Sequence, residues 1–280
     1  SCYIYDLLIG RNLIARLIVT LLATRKNCHK LIFLSEAAKQ SFFSSLYYPK
    51  RARKILEEKS VVIYPVPLLK TAPHPTKQRS ERLKVLFVGM YYMKGGIELV
   101  NAFERLRKEF QNIELTIVTP VHTLKEEHAT HLRSVTGLTL LDAKLGAEEM
   151  RSLYREHDVF CLPTYRDGFG LVLIEALAHG MPLIITDQYA TREMIVEDAN
   201  GFIFHGHPLM DYEPETYRLL GKYYNPKKFY TDLFRFQKEG KLEPVEDFIY
   251  TSLRKFLTEP ELLEQFSRRS LELYAEKFHP

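Results

Sequence analysis

Cysteine is scarce in this chain. The 280-residue sequence contains three cysteines, Cys2, Cys28 and Cys161, which are far apart and form no CxxC pair. An odd number of widely spaced cysteines argues against a disulfide framework and against a zinc knuckle. We therefore expect the protein to work in a reducing compartment, with the cytoplasm as the default location.

Long hydrophobic runs are also missing. The longest apolar stretch, residues 7–22, is interrupted by Arg11, Asn12 and Arg16, so it is too polar to cross a bilayer. It also lacks the small-residue cleavage site of a secretory signal peptide. Apolar residues at helical spacing predict instead a helix over residues 5–26. We interpret it as a helix buried between domains, although its basic side chains would also suit contact with an anionic membrane surface.

Several well-known nucleotide-binding and hydrolase motifs do not occur. The sequence has no Walker loop, no GxGxxG after a strand and no GxSxG elbow. The net charge of +4 is too small to indicate a particular partner. The basic cluster at residues 50–54 has no accompanying aromatic pattern, so it predicts a solvated helix face and no nucleic-acid site.

What the sequence does contain is a regular alternation of apolar runs and amphipathic segments. Hydrophobic residues make up 46% of the chain, enough for a sizeable core. Strands that are almost wholly apolar and alternate with helices predict an α/β fold with a doubly wound, Rossmann-like parallel sheet. The predicted strands are 30–34, 61–64, 84–88, 114–118, 139–141, 158–162, 183–185 and 201–204, and the predicted helices include 35–57, 95–109, 147–156, 171–179, 190–196 and 246–278.

The pattern divides the chain into a short first part and a larger second part. Residues 1–70 hold one strand–helix–strand unit, which is too small to be a domain by itself. The polar, proline-bearing residues 71–82 predict a linker. The main domain is predicted over 83–255, with an irregular, partly helical insertion at about 207–245, and a closing helix is predicted over 256–280.

The most informative segment is residues 162–182. An apolar strand ends at Pro163, and a turn with two glycines leads directly into a helix that begins near Gly170. The free N–H groups of the first helical turn, together with the helix dipole, form an anion site at the carboxyl edge of the sheet. Asp167 and Glu175 flank this site and could accept hydrogen bonds from a sugar and a ribose. The alternative is a well-capped core helix, in which Asp167 serves the turn and Glu175 is solvated.

This segment resembles the hallmark of family 4 of the glycosyltransferases, which are retaining enzymes of the GT-B fold. The run Asp-Gly-Phe-Gly-Leu-x3-Glu-Ala-Leu-Ala-x-Gly-x-Pro, residues 167–182, is similar to the Glu-x7-Glu region of their C-terminal domain. Other pieces match in the same order: residues 85–89 with Lys94 and Gly95, residues 150–163, Thr186 and Asp187, Glu193, Asn200 and Gly201, and residues 31–35 with 61–65. The likeness implies a donor-binding domain at 83–255 and, in residues 1–70, the last portion of the acceptor-side domain.

The resemblance implies a role for each matching residue. Lys94 would neutralise the donor diphosphate and Asp167 would contact the transferred sugar, so these two are the expected catalytic residues. The nucleobase is expected near Leu141 and Leu145. The expected donor-binding residues are Gly89, Lys94, Asp167, Gly168, Phe169, Gly170, Leu171, Val172 and Glu175, of which Glu175 would bind the ribose hydroxyls.

The implied reaction is the transfer of a hexosyl-type sugar from a nucleotide-diphosphate donor, with retention of configuration and without a metal or other cofactor. The implied acceptor is a glycan or a lipid-linked sugar. Because many family members act on lipid-linked acceptors at the inner membrane face, peripheral membrane contact is implied besides a cytoplasmic location. No nucleic-acid partner is expected.

Three departures from the family pattern support an alternative. Met90 stands where the family usually has an arginine, which leaves Arg166 as the nearest replacement cation, and Asp167 is shorter than the usual glutamate. Residues 1–70 hold only part of an acceptor domain, and the sequence begins at Ser1 and not at methionine, which favours a fragment. The alternative function is a truncated or non-catalytic nucleotide-sugar-binding protein. A third possibility is a GT-B epimerase or phosphorylase.

Histidines provide weaker candidates. His205 and His207 are one residue apart near a strand end and could share a face as metal ligands, but no third ligand lies within sequence reach. His128 and His131 could meet on one helix face, where a solvated polar surface is the simpler interpretation. We therefore expect no metal site.

Overall fold

The computed structural model describes residues 13–44, 48–66, 81–223 and 225–278. A two-stranded parallel sheet and its helices form a small unit in the first part of the chain. This unit comprises α1 (Leu13–Thr24), β1 (Leu31–Phe33), α2 (Glu36–Ser44), α3 (Lys50–Lys59) and β2 (Ser60–Val62).

The rest of the described chain is built around a six-stranded parallel sheet. Its strands are β3 (Leu83–Val88), β4 (Ile113–Thr119), β5 (Leu138–Asp142), β6 (Val159–Leu162), β7 (Leu183–Thr186) and β8 (Gly201–Phe204). Its helices are α4 (Gly96–Glu109), α5 (Glu126–Ser134), α6 (Ala147–Glu156), α7 (Leu171–Ala178), α8 (Pro226–Lys238), α9 (Glu243–Thr258) and α10 (Pro260–Lys277), with 3-10 turns at Val121–Thr123 and Tyr189–Met194.

The predicted fold class is confirmed. The spatial strand order is β5-β4-β3-β6-β7-β8, and every neighbouring pair is parallel. Every residue of β6 and β7 is buried. Such continuous apolar strands fit only a sheet that is covered by helices on both faces.

The strand order also decides which helices share a face. The chain moves in one direction from β3 to β4 to β5, and in the opposite direction from β6 to β7. Since crossovers between parallel strands are right-handed, α4 and α5 lie on one face of the sheet, and α6 and α7 lie on the other. The C-terminal helices cover both faces, because α9 packs on α4 and α10 packs on α7.

One predicted helix is wrong in its length. The sequence predicted a single helix over 35–57, whereas the structure has α2 and α3, with Pro49 immediately before α3. A proline biases the residue before it away from helical conformation, so Tyr48 cannot easily continue a helix. The predicted start is confirmed, because the Ser35 hydroxyl accepts a hydrogen bond from the Ala38 amide at 3.0 Å.

Two other helical predictions differ from the structure. The predicted helix over 190–196 is the 3-10 turn Tyr189–Met194. Helix α5 was considered only as a possible helix face for His128 and His131. Apolar periodicity did not indicate it, because only Ala129 and Leu132 are buried in it.

The C-terminal region contains more helix than predicted. Asn225 caps α8 by accepting a hydrogen bond from the Lys227 amide at 2.9 Å, within the segment predicted as an insertion. The helical region predicted over 246–278 consists of α9 and α10, because Pro260 starts a new helix. The expected closing helix over 256–280 therefore corresponds to α10.

Several predictions lie partly outside the described residues. The residues concerned are 5–12 of the first helix, 45–47 of the helix predicted over 35–57, 71–80 of the linker, 224 of the insertion and 279–280 of the closing helix. Among the helices that the structure describes, none combines the length and the apolar character needed to span a membrane.

Candidate functional site

The site lies where the direction of the sheet reverses. The change of strand order falls between β3 and β6, so the loops after these two strands diverge and leave a crevice at the carboxyl edge. The loop after β3 is residues 89–95, and the loop after β6 is residues 163–170. These are the two loops that carry most of the predicted donor-binding residues.

The two loops are fastened to each other. The Tyr165 amide donates a hydrogen bond to the Met93 carbonyl at 3.1 Å. Gly95 has φ 73°, and a Cβ atom there would lie 2.3 Å from the Pro163 carbonyl oxygen. Only glycine therefore permits this close approach. The position of one loop is thus fixed by the other.

Lys94 and Asp167 meet across the crevice. The Lys94 ammonium lies 2.5 Å from Oδ2 of Asp167 and donates to the Arg166 carbonyl at 2.9 Å. The other oxygen of Asp167, Oδ1, accepts a hydrogen bond from the Phe169 amide at 3.1 Å. Both side chains are largely buried, with 16% and 14% of their surfaces exposed. The ion pair therefore holds both groups at the mouth of the crevice in defined positions.

Helix α7 begins directly beside this ion pair. It follows Gly170, and its first N–H groups have no partner inside the helix. The helix dipole adds partial positive charge at the same end. Lys94 and this helix start therefore form one place where an anionic group can be bound.

The crevice opens into a cleft of about 720 Å³. One wall consists of the residues just described, and Gly89 takes part in it: a Cβ atom at this position would lie 2.9 Å from Cγ of Lys94. The wall from the small unit is mostly apolar and consists of Val19, Leu31, Ile32, Phe33, Leu34, Ser35, Ala38, Ser41 and Phe42. Among the described residues that line the cleft, Lys94 is the only basic one.

Most of the predicted donor-binding residues are brought together in this way. Gly89, Lys94 and the whole run from Asp167 to Val172 line the same cleft. Glu175 does not line it. Its carboxylate accepts a hydrogen bond from the Tyr154 hydroxyl of α6 at 2.9 Å, and burial raises the pKa of Glu175. Leu141 and Leu145, at the end of β5, are half-buried against the main core and also lie outside the cleft lining.

Met90, which stands where the family usually has an arginine, lines the cleft. Arg166 is not among the cleft-lining residues. Its charge instead acts on Asp211. Burial raises the pKa of Asp211, and hydrogen bonds from the Lys222 and Tyr223 amides act to lower it, as does the positive charge of Arg166. The structure therefore gives no support to Arg166 as the replacement cation.

Sequence reasoning missed Tyr189 altogether, and for Glu193, which it matched to the family pattern, it did not predict the contacts that the structure shows. Tyr189 lines the cleft with φ 57°, which is uncommon for a bulky side chain. Glu193 joins the two units, because its carboxylate accepts hydrogen bonds from the amides of Glu36 and Ala37 and from the Tyr64 hydroxyl, at 2.9, 2.8 and 2.7 Å. The position of Tyr189, three residues after β7 at the same sheet edge, was a signal that could have identified it.

The histidine pairs are engaged in protein contacts. His205 contacts the Asp187 carboxylate at 2.9 Å, and the Nε2 atom of His207 contacts the Gln188 side-chain oxygen at 2.9 Å. His128 pairs with the Tyr92 hydroxyl, and His131 with Glu104. In the described part of the chain, no three histidine, cysteine or acidic side chains are grouped so that they could hold a metal ion.

A doubly wound parallel sheet with a helix start and a lysine at its switch point is an arrangement that α/β proteins commonly use to bind phosphorylated ligands. Residues 82–220 match the family model described as Glycosyl transferases group 1. This part of the chain is therefore a domain of that glycosyltransferase family, and it has the fold of GT-B enzymes.

Individual relatives agree with this family. The chain is 29% identical over 126 residues to a D-inositol 3-phosphate glycosyltransferase of Xylanimonas cellulosilytica, a match that covers 44% of this chain and 30% of the relative. The match thus spans about a third of that relative's length.

Solved structures share the fold at lower identity. HepE of Anabaena, in complex with UDP, has a TM-score of 0.62 at 14% identity, over 95% of this chain and 64% of HepE. The C-terminal domain of LpcC, a glycosyl transferase group 1 family protein of Francisella tularensis, has a TM-score of 0.51 at 17% identity, over 70% of this chain and 86% of that domain.

Proposed function

We propose that this chain forms the donor side of a retaining glycosyltransferase that uses a nucleotide-diphosphate sugar. The observation that carries the proposal is the meeting of Lys94 and Asp167 beside the start of α7, at the switch point of the sheet. The proposed acceptor is a glycan or a lipid-linked sugar, and no metal or other cofactor is required. HepE, which shares the fold, was solved with UDP.

The proposed mechanism uses each group for one task. When the bond between the anomeric carbon and the diphosphate breaks, negative charge builds on the departing phosphate, and Lys94 with the α7 amides stabilises it. The acceptor oxygen forms the new bond on the same face of the sugar, and its proton leaves with the phosphate. Asp167 accepts hydrogen bonds from the sugar hydroxyls, and Glu175 accepts them from the ribose.

Binding calorimetry with UDP, GDP and ADP tests the donor site. We expect one of them to bind, and Lys94→Ala to weaken it roughly tenfold or more, because a hydrogen bond to a charged group contributes about 1.5–3 kcal/mol. Glu175→Ala should weaken binding too, through the ribose. Lys108→Ala, an exposed lysine at the other end of α4, is the matched control and should bind like the wild type. The proposal fails if no diphosphate binds or if Lys94→Ala behaves like the control.

A second candidate is a nucleotide-sugar-binding protein without transferase activity. It is favoured by Met90, and by the fact that Lys94, the only basic side chain among the described cleft residues, is already paired with Asp167. Slow hydrolysis of the bound donor by the purified chain, measured as release of free sugar, would exclude this candidate. Tight binding without any hydrolysis or transfer would support it.

The cytoplasmic location and the peripheral membrane contact are further parts of the proposal. The contact would use α1, on which Leu17, Ile18, Leu21 and Leu22 are 50–62% exposed. Co-sedimentation with vesicles that contain anionic lipid measures it. If the protein stays in the supernatant at every lipid concentration, the chain does not bind membranes by itself.

A further inference from the structure

A second, smaller cavity adjoins the cleft. It has a volume of about 250 Å³ and is formed by Tyr91 and Tyr92 of the loop after β3, Thr123 and Lys125 after β4, and Tyr230 and Phe234 of α8. Met90 lines both this groove and the main cleft, so the two spaces meet at this one side chain. We call the smaller cavity the aromatic groove.

The rings of the aromatic groove are held in place by the fold. The rings of Tyr92 and Phe234 meet edge to face with their centroids 5.5 Å apart, and Tyr230 stacks on Phe234 at 6.4 Å. The Tyr92 hydroxyl is hydrogen-bonded to His128 and to the Lys125 amide, both at 2.8 Å. Tyr92 is itself only 8% exposed, so its fixed ring supports the partly exposed rings of Phe234 and Tyr230, which form the rigid apolar surface of the groove.

One partly exposed cation, Lys125, lies at the edge of this surface. The Lys125 ammonium lies 4.4 Å from the Phe234 ring centroid and 3.7 Å from the Glu127 carboxylate, and 52% of its side-chain surface is exposed. A concave aromatic surface with a few polar groups at its rim is the usual composition of a small-molecule site. The volume is below the roughly 300–1,000 Å³ of a site for a drug-sized ligand, so it suits a single ring better than a whole nucleotide sugar.

The position of the groove indicates which ring it takes. Tyr91, Lys125 and Phe234 lie at the α4 and α5 face of the sheet, and α8 is tied to that face by a hydrogen bond of 3.0 Å between Gln237 and Glu98 of α4. Glu175 belongs to α7, on the opposite face. In the proposed function the ribose lies at Glu175 and the diphosphate at Lys94, so the nucleoside half of the donor points away from the groove. The carbohydrate half then lies on the side of the diphosphate where Met90 and the groove are.

We propose that the aromatic groove is a carbohydrate subsite that binds one pyranose ring next to the cleft. This inference rests on the proposed function, because the placement of the nucleoside at Glu175 does. The C–H face of the ring packs on Tyr230 and Phe234. Its hydroxyl groups accept a hydrogen bond from the Lys125 ammonium and donate one to the Thr123 hydroxyl oxygen.

Saturation-transfer NMR with the methyl glycosides of glucose, galactose, mannose and N-acetylglucosamine tests the subsite. We expect at least one glycoside to receive signal from the wild type, and we expect this signal to be at least fivefold weaker in Phe234→Ala and in Tyr230→Ala. Phe236→Ala is the matched control, since Phe236 lies on the same helix but does not line the groove. Circular dichroism and the calorimetric affinity for the nucleoside diphosphate should stay within twofold of the wild type in all three variants.

Both Phe234→Ala and Tyr230→Ala are tested so that a folding defect in one of them does not decide the result. The proposal is overturned if no glycoside receives signal, if both groove variants behave like Phe236→Ala, or if uridine displaces the glycoside, which would make the groove a nucleoside site. Failure of the proposed donor function has a different signature: no nucleoside diphosphate binds, whatever the glycosides do.

Discussion

In the proposed function, Lys94 determines how strongly the cleft attracts the phosphates of the donor. Its ammonium is shared between Asp167 and the Arg166 carbonyl, and no other basic side chain lines the described walls of the cleft. A diphosphate must therefore compete with Asp167 for the only cation there. Met90 affects this competition between the diphosphate and Asp167, because its uncharged side chain occupies a position in the cleft wall where a second cation could lie.

Substitution of Met90 tests this competition. We expect Met90→Arg to bind the nucleoside diphosphate roughly tenfold more tightly, because an added charged hydrogen bond contributes about 1.5–3 kcal/mol. The gain should shrink with rising salt, since part of it is screened. Met90→Gln is the neutral control, and calorimetry at two salt concentrations is the measurement. Equal affinities of the two variants would show that position 90 does not face the phosphates.

His207 makes the stability of the fold depend on pH. The side chain is 2% exposed, and burial lowers the pKa of His207 to about 4. Between this value and the ordinary pKa of about 6.5, the unfolded chain binds a proton that the folded chain does not. Stability is therefore full above that range and is lost as the pH falls through it.

We expect acidification from about pH 7.5 to 5 to reduce the free energy of unfolding by about 2 kcal/mol through His207 alone. This part of the loss should disappear in His207→Gln. Urea unfolding at both pH values measures it, with His205→Gln as the control, because the His205 side chain is half exposed. If His207→Gln and wild type lose the same stability on acidification, another group is responsible.

At the scale of elements, the site depends on how closely two loops approach. Helix α4 begins after Gly95 and helix α7 begins after Gly170, and the loops before them are joined by the Tyr165–Met93 hydrogen bond. The crevice is therefore a property of the pair of loops. Helix α8 supports the loop after β3, because Phe234 packs on Tyr92, and it is tied to α4 by the hydrogen bond from Gln237 to Glu98.

Alanine substitutions at two glycines of these loops should have different effects on the free energy of unfolding. Gly95→Ala should lower the free energy of unfolding by more than about 1 kcal/mol, since the new Cβ atom would clash with the Pro163 carbonyl at a positive φ. Gly168→Ala should be nearly neutral, because a Cβ atom there has no atom within 4 Å. Chemical unfolding of both variants is the measurement. Similar losses in both would show that the loops adjust to each other freely.

At the scale of the whole molecule, the small unit depends on the larger one. Two short strands alone are only marginally stable, and the core of this unit consists of few residues: Ala23, Phe33, Ala38, Phe42, Phe43, Tyr48 and Leu56. Glu193 joins it to the larger unit, because its carboxylate caps the start of α2 and accepts a hydrogen bond from the Tyr64 hydroxyl. Burial and this hydrogen bond raise the pKa of Tyr64.

Removal of this carboxylate should loosen the small unit alone. In Glu193→Ala we expect amide hydrogen exchange in β1 and β2 to become roughly tenfold faster or more, because several hydrogen bonds to a charged acceptor are lost together. Exchange in β6 and β7 should not change, since they belong to the large core. Glu197→Gln, a nearby exposed carboxylate, is the control. Uniform acceleration in all strands would indicate that the two units unfold as one.

Much of the architecture could be predicted from the order of residues alone. The strands at 84–88, 114–118 and 183–185 are confirmed to within two residues, because buried parallel strands are continuous apolar runs. The likeness around residues 167–182 also identified the glycosyltransferase family, since it depends on local residue types and their spacing. The ends of helices were harder to predict where a proline divides a helical pattern, as at Pro49 and Pro260.

The tertiary structure alone decided which groups meet. The pairing of Lys94 with Asp167, the capping of α2 by Glu193 and the joining of the aromatic groove to the cleft at Met90 all connect residues that are far apart in sequence. No local pattern encodes such contacts, because they depend on the strand order and on the handedness of the crossovers. Residue types and spacing determined a parallel α/β sheet with an anion-binding helix start, and the strand order decided what faces that helix start.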